Sequence, residues 1–404
     1  MRRSVVIVWV WAVVLLLTAE AQAQDPLEAA LRVRAKVADT DGHALAQVLA
    51  DPAQLRAQVL VRRLGSDGAP VETWRFRADA EYFFPASAVK LAGAVTAVAA
   101  LRRVPKATLD TPLEFDALPG LDPARTSDPS VPEGRLTLRG QLQKALVVSD
   151  NEAFNRCFEL TGHREMNALL WQMGLKSARM HHRLSNPRPT AAGRKTPRVR
   201  APSLGPAAFW PARESDLVLP AHPGSPLLFG TAHNDPVTER RIEAPMDFGE
   251  KNALSLDDHQ RLLGWVVLPG GGGFGVTAPP GFTEADRGFV RETLGQNAPD
   301  LRGRAFEGTQ HTEARYRPTL PGVLRVRPRA QLEVRGKAGK AYGFHVENAF
   351  YRDVETGRGF LLAVAIFANT DGVMNDGRYD YATITEPFLR AVGEVVARRV
   401  FDGD

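Results

Sequence analysis

The sequence predicts a mixed α/β (α+β) fold in which one antiparallel sheet is built from both chain ends around an inserted all-helical part. Three observations predict it. Two strand-like runs, Gln58–Leu64 and Glu72–Arg77, flank the turn signal Gly65-Ser66-Asp67-Gly68 near the N-terminus. Three more, Leu332–Arg335, Gly343–Arg352 and Gly359–Ala368, lie near the C-terminus. Helical periodicity dominates between them.

In chain order, Met1-Arg2-Arg3 precedes an apolar run from Ser4 to about Ala19 and the small-x-small pattern Ala21-Gln22-Ala23. This reads as a signal peptide over 1–23, too short to span a bilayer, with no nearby cysteine for a lipid anchor. Leu27–Val37 reads as a helix and the two N-terminal strands as a hairpin. Tyr82-Phe83-Phe84-Pro85-Ala86 leads into a helix over Ser87–Arg103, apolar nearly all round and therefore expected to be buried. Pro85 suits a helix start and places Ser87 in the first turn. Thr137 can cap a helix carrying Leu138, Leu142, Ala145 and Leu146 on one face, ending at Ser149, and another follows from about Glu152 to Leu160. Further helices are expected at Arg164–Met173, Ser255–Val267, Thr283–Leu294 and Ile384–Phe401. Between Asn186 and about Asp247, Pro, Gly and Arg predict an irregular, strand-bearing insertion, and Gly270–Gly273 a flexible turn. The expected division is a sheet part over 24–105, a helical part over 106–315 with its insertion at about 186–247, and the rest of the sheet part over 316–404.

Composition excludes more than it assigns. With 44% hydrophobic residues the chain has ample material for a core. The net charge of +5 comes from scattered arginines, the densest run being Arg194–Arg200, so a nucleic-acid partner is not expected. Cys157 is the single cysteine, which excludes an intrachain disulfide. His181 and His182 are adjacent, so their side chains diverge, and no further ligand pattern surrounds them; no metal or other cofactor is expected.

Only nine residues are lysine, yet two of them fall within a set of three short motifs, each the sole instance of its pattern: Ser87-Ala88-Val89-Lys90, Ser149-Asp150-Asn151 and Lys337-Ala338-Gly339. A serine hydroxyl is a weak nucleophile unless a neighbour removes its proton. A lysine three residues on lies on the same helix face and can do so if burial and a nearby cation lower its pKa. Lys90 is thus the candidate base for Ser87. Lys337 would supply the second cation and attract a substrate carboxylate. Ser149 can pass a proton between the lysines and the leaving group, and Asn151 can hydrogen-bond a substrate amide. Asp150 is expected to hold the connector rather than react.

Order and spacing of the motifs resemble the penicillin-recognising serine hydrolases, most closely the class A β-lactamases, for which the three motifs are a known signature. Ser87 and Ser149 are 62 positions apart, close to the family's spacing. The likeness covers roughly Gln58–Ser185 and Ser255–Phe401. The resemblance implies a β-lactamase-like fold, an acyl-enzyme on Ser87, and an oxyanion hole formed by the backbone amides of Ser87 and Lys340. Two departures stand out. Near Ser185, where the family carries the glutamate that activates the deacylating water, the text is Met180-His181-His182-Arg183-Leu184-Ser185, without a carboxylate; the expectation is slow deacylation, or another base such as His182 or a residue of the Asn186–Asp247 insertion. Ala338 replaces the family's usual Thr or Ser, which removes a hydroxyl that helps bind the substrate carboxylate. The expected activity is that of an exported, periplasmic or secreted, monomeric serine hydrolase acting on β-lactams or related small amides and esters. The alternatives are a penicillin-binding or cell-wall peptide-binding protein that acylates with little turnover, and a D,D-peptidase or esterase.

Overall fold

The computed structural model describes residues 25–187 and 190–403. Residues 1–23, expected from the sequence to be a signal peptide, lie outside these residues. Among the described residues no helix is long and apolar enough to cross a membrane.

Five strands form one sheet: β1 (Gln58–Leu64), β2 (Pro70–Phe76), β3 (Leu332–Ala341), β4 (Phe344–Asp353) and β5 (Gly359–Phe367). Their order is β3-β4-β5-β1-β2, antiparallel throughout, so the sheet is indeed assembled from both chain ends. The central strand β5 shows why. Leu362, Val364 and Ile366 pack on one face while Leu361, Ala363 and Ala365 pack on the other, a period of two with both faces apolar.

One face is covered by α1 (Pro26–Arg34), α2 (Thr40–Ala50) and the C-terminal helix, through Leu27, Leu31, Leu45, Val48, Phe388, Val392 and Val396. The helix α2 has no counterpart among the helices read from the sequence. It starts at Asp39, whose carboxylate accepts from Gly42 N at 2.7 Å.

The other face carries α3 (Lys90–Leu101), α4 (Leu138–Val147), α5 (Asn151–Thr161), α6 (His163–Gln172), α7 (Leu256–Val267) and α8 (Glu284–Thr293), whose apolar residues join one core. All twelve residues of α3 are buried, as its apolar circumference predicts. Thr137 caps α4, Ser255 caps α7, and Thr283 with Asp286 forms a capping box on α8. The last helix, α9, spans Glu386–Ala397 between wider turns at Tyr381–Thr385 and Arg398–Asp402. Between Lys195 and Asp247 the chain makes strand pieces of two or three residues and one 3₁₀ turn, Pro202–Leu204.

Candidate active site

The three motifs meet at the β3 edge of the sheet. Ser87 does not sit in an α-helix but in the 3₁₀ turn Ala86–Val89 that leads into α3, with Ala86 in the left-handed region at φ 46°. Lys90 opens α3, and its Nζ lies 2.8 Å from Ser87 Oγ. The strand β3 runs beyond the expected Arg335 to Ala341, so Lys337-Ala338-Gly339 lies within it rather than after it. Gly339 is required there. A Cβ at this position would stand 2.3 Å from Pro85 O and 2.8 Å from the backbone nitrogens of Ser87 and Ala88. Only glycine lets the strand press against the turn that carries Ser87.

The connector Ser149-Asp150-Asn151 is held on both sides. Asp150 N donates to Lys144 O at 3.0 Å, and the Asp150 carboxylate accepts from Ala153 N at 2.8 Å, capping α5. A Cβ on Gly93 would lie 2.6 Å from the Phe154 ring, so glycine is also what brings α5 and its first residue, Asn151, up to α3. Ser149 adopts φ 60°, a conformation that costs about 1–3 kcal/mol for a residue with a side chain. Both its carbonyl and its hydroxyl reach Lys90 Nζ, at 2.5 and 3.1 Å. From the other side Lys337 Nζ donates to Ser149 Oγ at 2.9 Å and to Ala338 O at 3.1 Å. The hydroxyl of Ser149 therefore stands between the two lysines.

Lys90 and Lys337 are both buried. Burial, followed by the charge of Lys337, holds the Lys90 pKa well below the ordinary lysine value, with Asp150 acting the other way. Burial, followed by Arg317, brings Lys337 down to about 7, against the opposing pull of Glu347. Arg317 and Glu347 are buried groups that the motifs give no hint of; Glu347 lies across from Ala338 in the β3–β4 register and accepts from Thr319 N at 2.7 Å.

Asn151 is engaged within the protein: Oδ1 accepts from Lys90 Nζ at 2.7 Å and Nδ2 donates to Ser185 Oγ at 2.6 Å. Ser185 is exposed, at φ 48°, on a segment pinned by Asn155, which exchanges hydrogen bonds with the Leu184 backbone, and by buried Arg183, which binds Glu159 and two backbone carbonyls. Among the described residues no carboxylate is hydrogen-bonded to Ser87, Lys90, Ser149, Asn151 or Ser185. His182 lies on the same segment. Burial and then Lys251 lower its pKa to about 3, so the imidazole is neutral and weakly basic. The Lys340 side chain turns to Glu386, at 3.1 Å, which leaves only its backbone for the site. No group of three or more metal-ligating side chains occurs among the described residues.

Residues 42–203 match the model of the beta-lactamase enzyme family. The match starts earlier than the motif likeness and ends before β3, so the Lys337 motif lies outside it. A class A β-lactamase from Mycobacterium abscessus superposes with a TM-score of 0.50 at 16% identity, over 91% of this chain and 100% of that one. The chain has a β-lactamase fold. Looser superpositions are found with a β-lactamase from Desulfarculus baarsii (TM-score 0.47, 17% identity, 89% of this chain and 97% of that one) and one from Burkholderia vietnamiensis (0.48, 14%, 90% and 97%). No curated protein matches the sequence. The β-lactamase fold and the family match agree with the resemblance carried by the three motifs.

Proposed function

We propose that the protein is an exported serine hydrolase of the class A β-lactamase type, forming an acyl-enzyme on β-lactams or related amides and esters. The observation that carries this reading is the cluster in which Ser87 Oγ lies 2.8 Å from Lys90 Nζ while Ser149 Oγ joins Lys90 to Lys337. In this reading neutral Lys90 takes the Ser87 proton as Oγ attacks the carbonyl carbon. The Ser87 and Lys340 amides hold the resulting oxyanion, a role supported by the close seat of Gly339 on the nucleophile turn. Ser149 passes the proton to the leaving nitrogen or oxygen, and Lys337 holds the substrate carboxylate without help from a hydroxyl at Ala338. Asn151 can still meet a substrate amide, but only by exchanging one of its internal bonds. No metal or other cofactor enters the mechanism. The N-terminal segment 1–23 carries the export part of the proposal, with a periplasmic or secreted destination.

Hydrolysis of the acyl-enzyme is the weak half of the cycle. Ser185 offers a hydroxyl where the family has a carboxylate, and His182 is far less basic than a base poised near neutral pH. A chromogenic cephalosporin mixed rapidly with the enzyme should therefore release a burst of about one equivalent, then turn over slowly. Fast turnover without a burst would contradict the deacylation argument. The absence of both burst and turnover would contradict the assignment to β-lactams.

A further inference from the structure

A cavity of about 500 Å³ adjoins the site on the Ser185 side, walled by the 181–187 segment, by part of the insertion and its C-terminal flank, and by Tyr342 and Asn375. Ser185 belongs to this wall and accepts from Asn151, so the cavity begins one side chain away from Lys90. Three charged groups of one short segment line it, Asp247, Glu250 and Lys251; Glu250 already has a partner, which leaves Asp247 and Lys251. The Lys251 ammonium sits 5.4 Å from the centroid of the Tyr342 ring, and no carboxylate pairs with it among the described residues. A partly buried cation without an anion is unfavourable unless a ligand supplies one. Asp247 is exposed, and its carboxylate accepts only the local Gly249 N, at 2.7 Å, among the described residues.

The two ends of the site differ in kind. Lys337 lies on one side of Ser149, whereas Ser185 is reached from the other side through Asn151 and Lys90. A substrate whose carboxylate rests at Lys337 and whose carbonyl meets Ser87 directs its acyl side chain toward Ser185 and the cavity. We propose that this cavity is the subsite for the acyl side chain and takes a chain ending in an α-amino acid, its carboxylate on Lys251 and its ammonium on Asp247. The proposal rests on the serine-hydrolase reading above.

Three penicillins with the same nucleus test it, carrying D-α-aminoadipoyl, adipoyl or phenylacetyl side chains. The rate of Ser87 acylation at low substrate concentration should fall in that order. Lys251→Met should slow acylation by the two carboxylate-bearing chains about tenfold or more, the size of a lost close charge pair, and leave phenylacetyl within about twofold. Asp247→Asn should slow the aminoadipoyl compound alone, and Lys251→Arg should retain most of the wild-type preference. The phenylacetyl rate also reports whether each variant is folded. Equal rates for all three compounds, or variants that slow all three alike, would overturn the subsite while leaving the serine-hydrolase reading standing. No acylation by any of them would overturn both.

Discussion

At the scale of single residues, two buried lysines stand on either side of one hydroxyl, the arrangement on which the proposed chemistry rests. Neutral Lys90 is the form that can act as a base, so acylation should rise with pH through its depressed folded pKa. Lys337 attracts a carboxylate only while protonated, so that attraction should be lost as pH rises through about 7. Anionic substrates are therefore expected to show a bell-shaped profile of acylation rate, and a neutral ester only the rising limb. Lys337→Met removes the cation beside Lys90, which should move the rising limb to higher pH as well as weaken carboxylate-bearing substrates. A limb that stays in place would separate the two lysines and refute their coupling. Lys90→Met should slow acylation by at least about a hundredfold, measured by single-turnover kinetics. Ser87, Lys90, Ser149 and Lys337 were legible in the sequence because their short spacings each fix a chemical relation. The Asn151–Ser185 bond was not, since it depends on a segment 34 residues away being pinned beside α5. Arg317 and Glu347 escaped for the same reason: only the packing of β4 against the turn before Thr319 brings them behind Lys337.

Among the secondary-structure elements, the proposed site depends on how closely β3 seats on the turn that carries Ser87 and α5 on α3. Gly339→Val would drive a side chain into Pro85 O and the Ser87 backbone and push strand and turn apart. Displacement on that scale should reduce acylation by about a hundredfold or more. Circular dichroism would show the sheet retained, and an unchanged acylation rate would refute the proposed contact. Asp150→Ala removes the α5 cap and should lower stability by about 1 kcal/mol, read from denaturant unfolding. The β1–β2 hairpin and most helices could be read from periodicity and capping residues, because burial on one face imposes a period on the sequence. The helix α2 was missed where Asp39, Leu45, Val48 and Leu49 supply a cap and an apolar face, behind an opening turn containing Gly42 and His43. The extension of β3 was missed because Gly336, Lys337 and Gly339 interrupt a strand pattern for reasons of chemistry and close approach.

In the molecule as a whole, the irregular insertion was legible only as a change in composition, since strands of two or three residues leave no period to read. Its place beside Ser185 follows from the fold alone. A second tie joins the loop before α4 to that helix. Asp128 accepts from Lys144, Ser130 and Gln141, and although burial opposes ionisation these bonds bring its pKa down to about 2. Its contribution to stability should be present above the unfolded value near 3.8 and disappear as pH falls through about 2. Acid unfolding monitored by tryptophan fluorescence should include this component in the wild type and lack it in Asp128→Asn; identical pH dependence would refute the pairing. The central claim is that these long-range arrangements serve a covalent event at Ser87. It is tested most directly by intact-mass spectrometry after brief exposure to a penicillin, followed by peptide mapping. The wild type should gain the mass of one intact penicillin on the peptide containing Ser87, persisting because deacylation is slow, and Ser87→Ala should gain none. An adduct on another residue, or one that forms equally in Ser87→Ala, would contradict it.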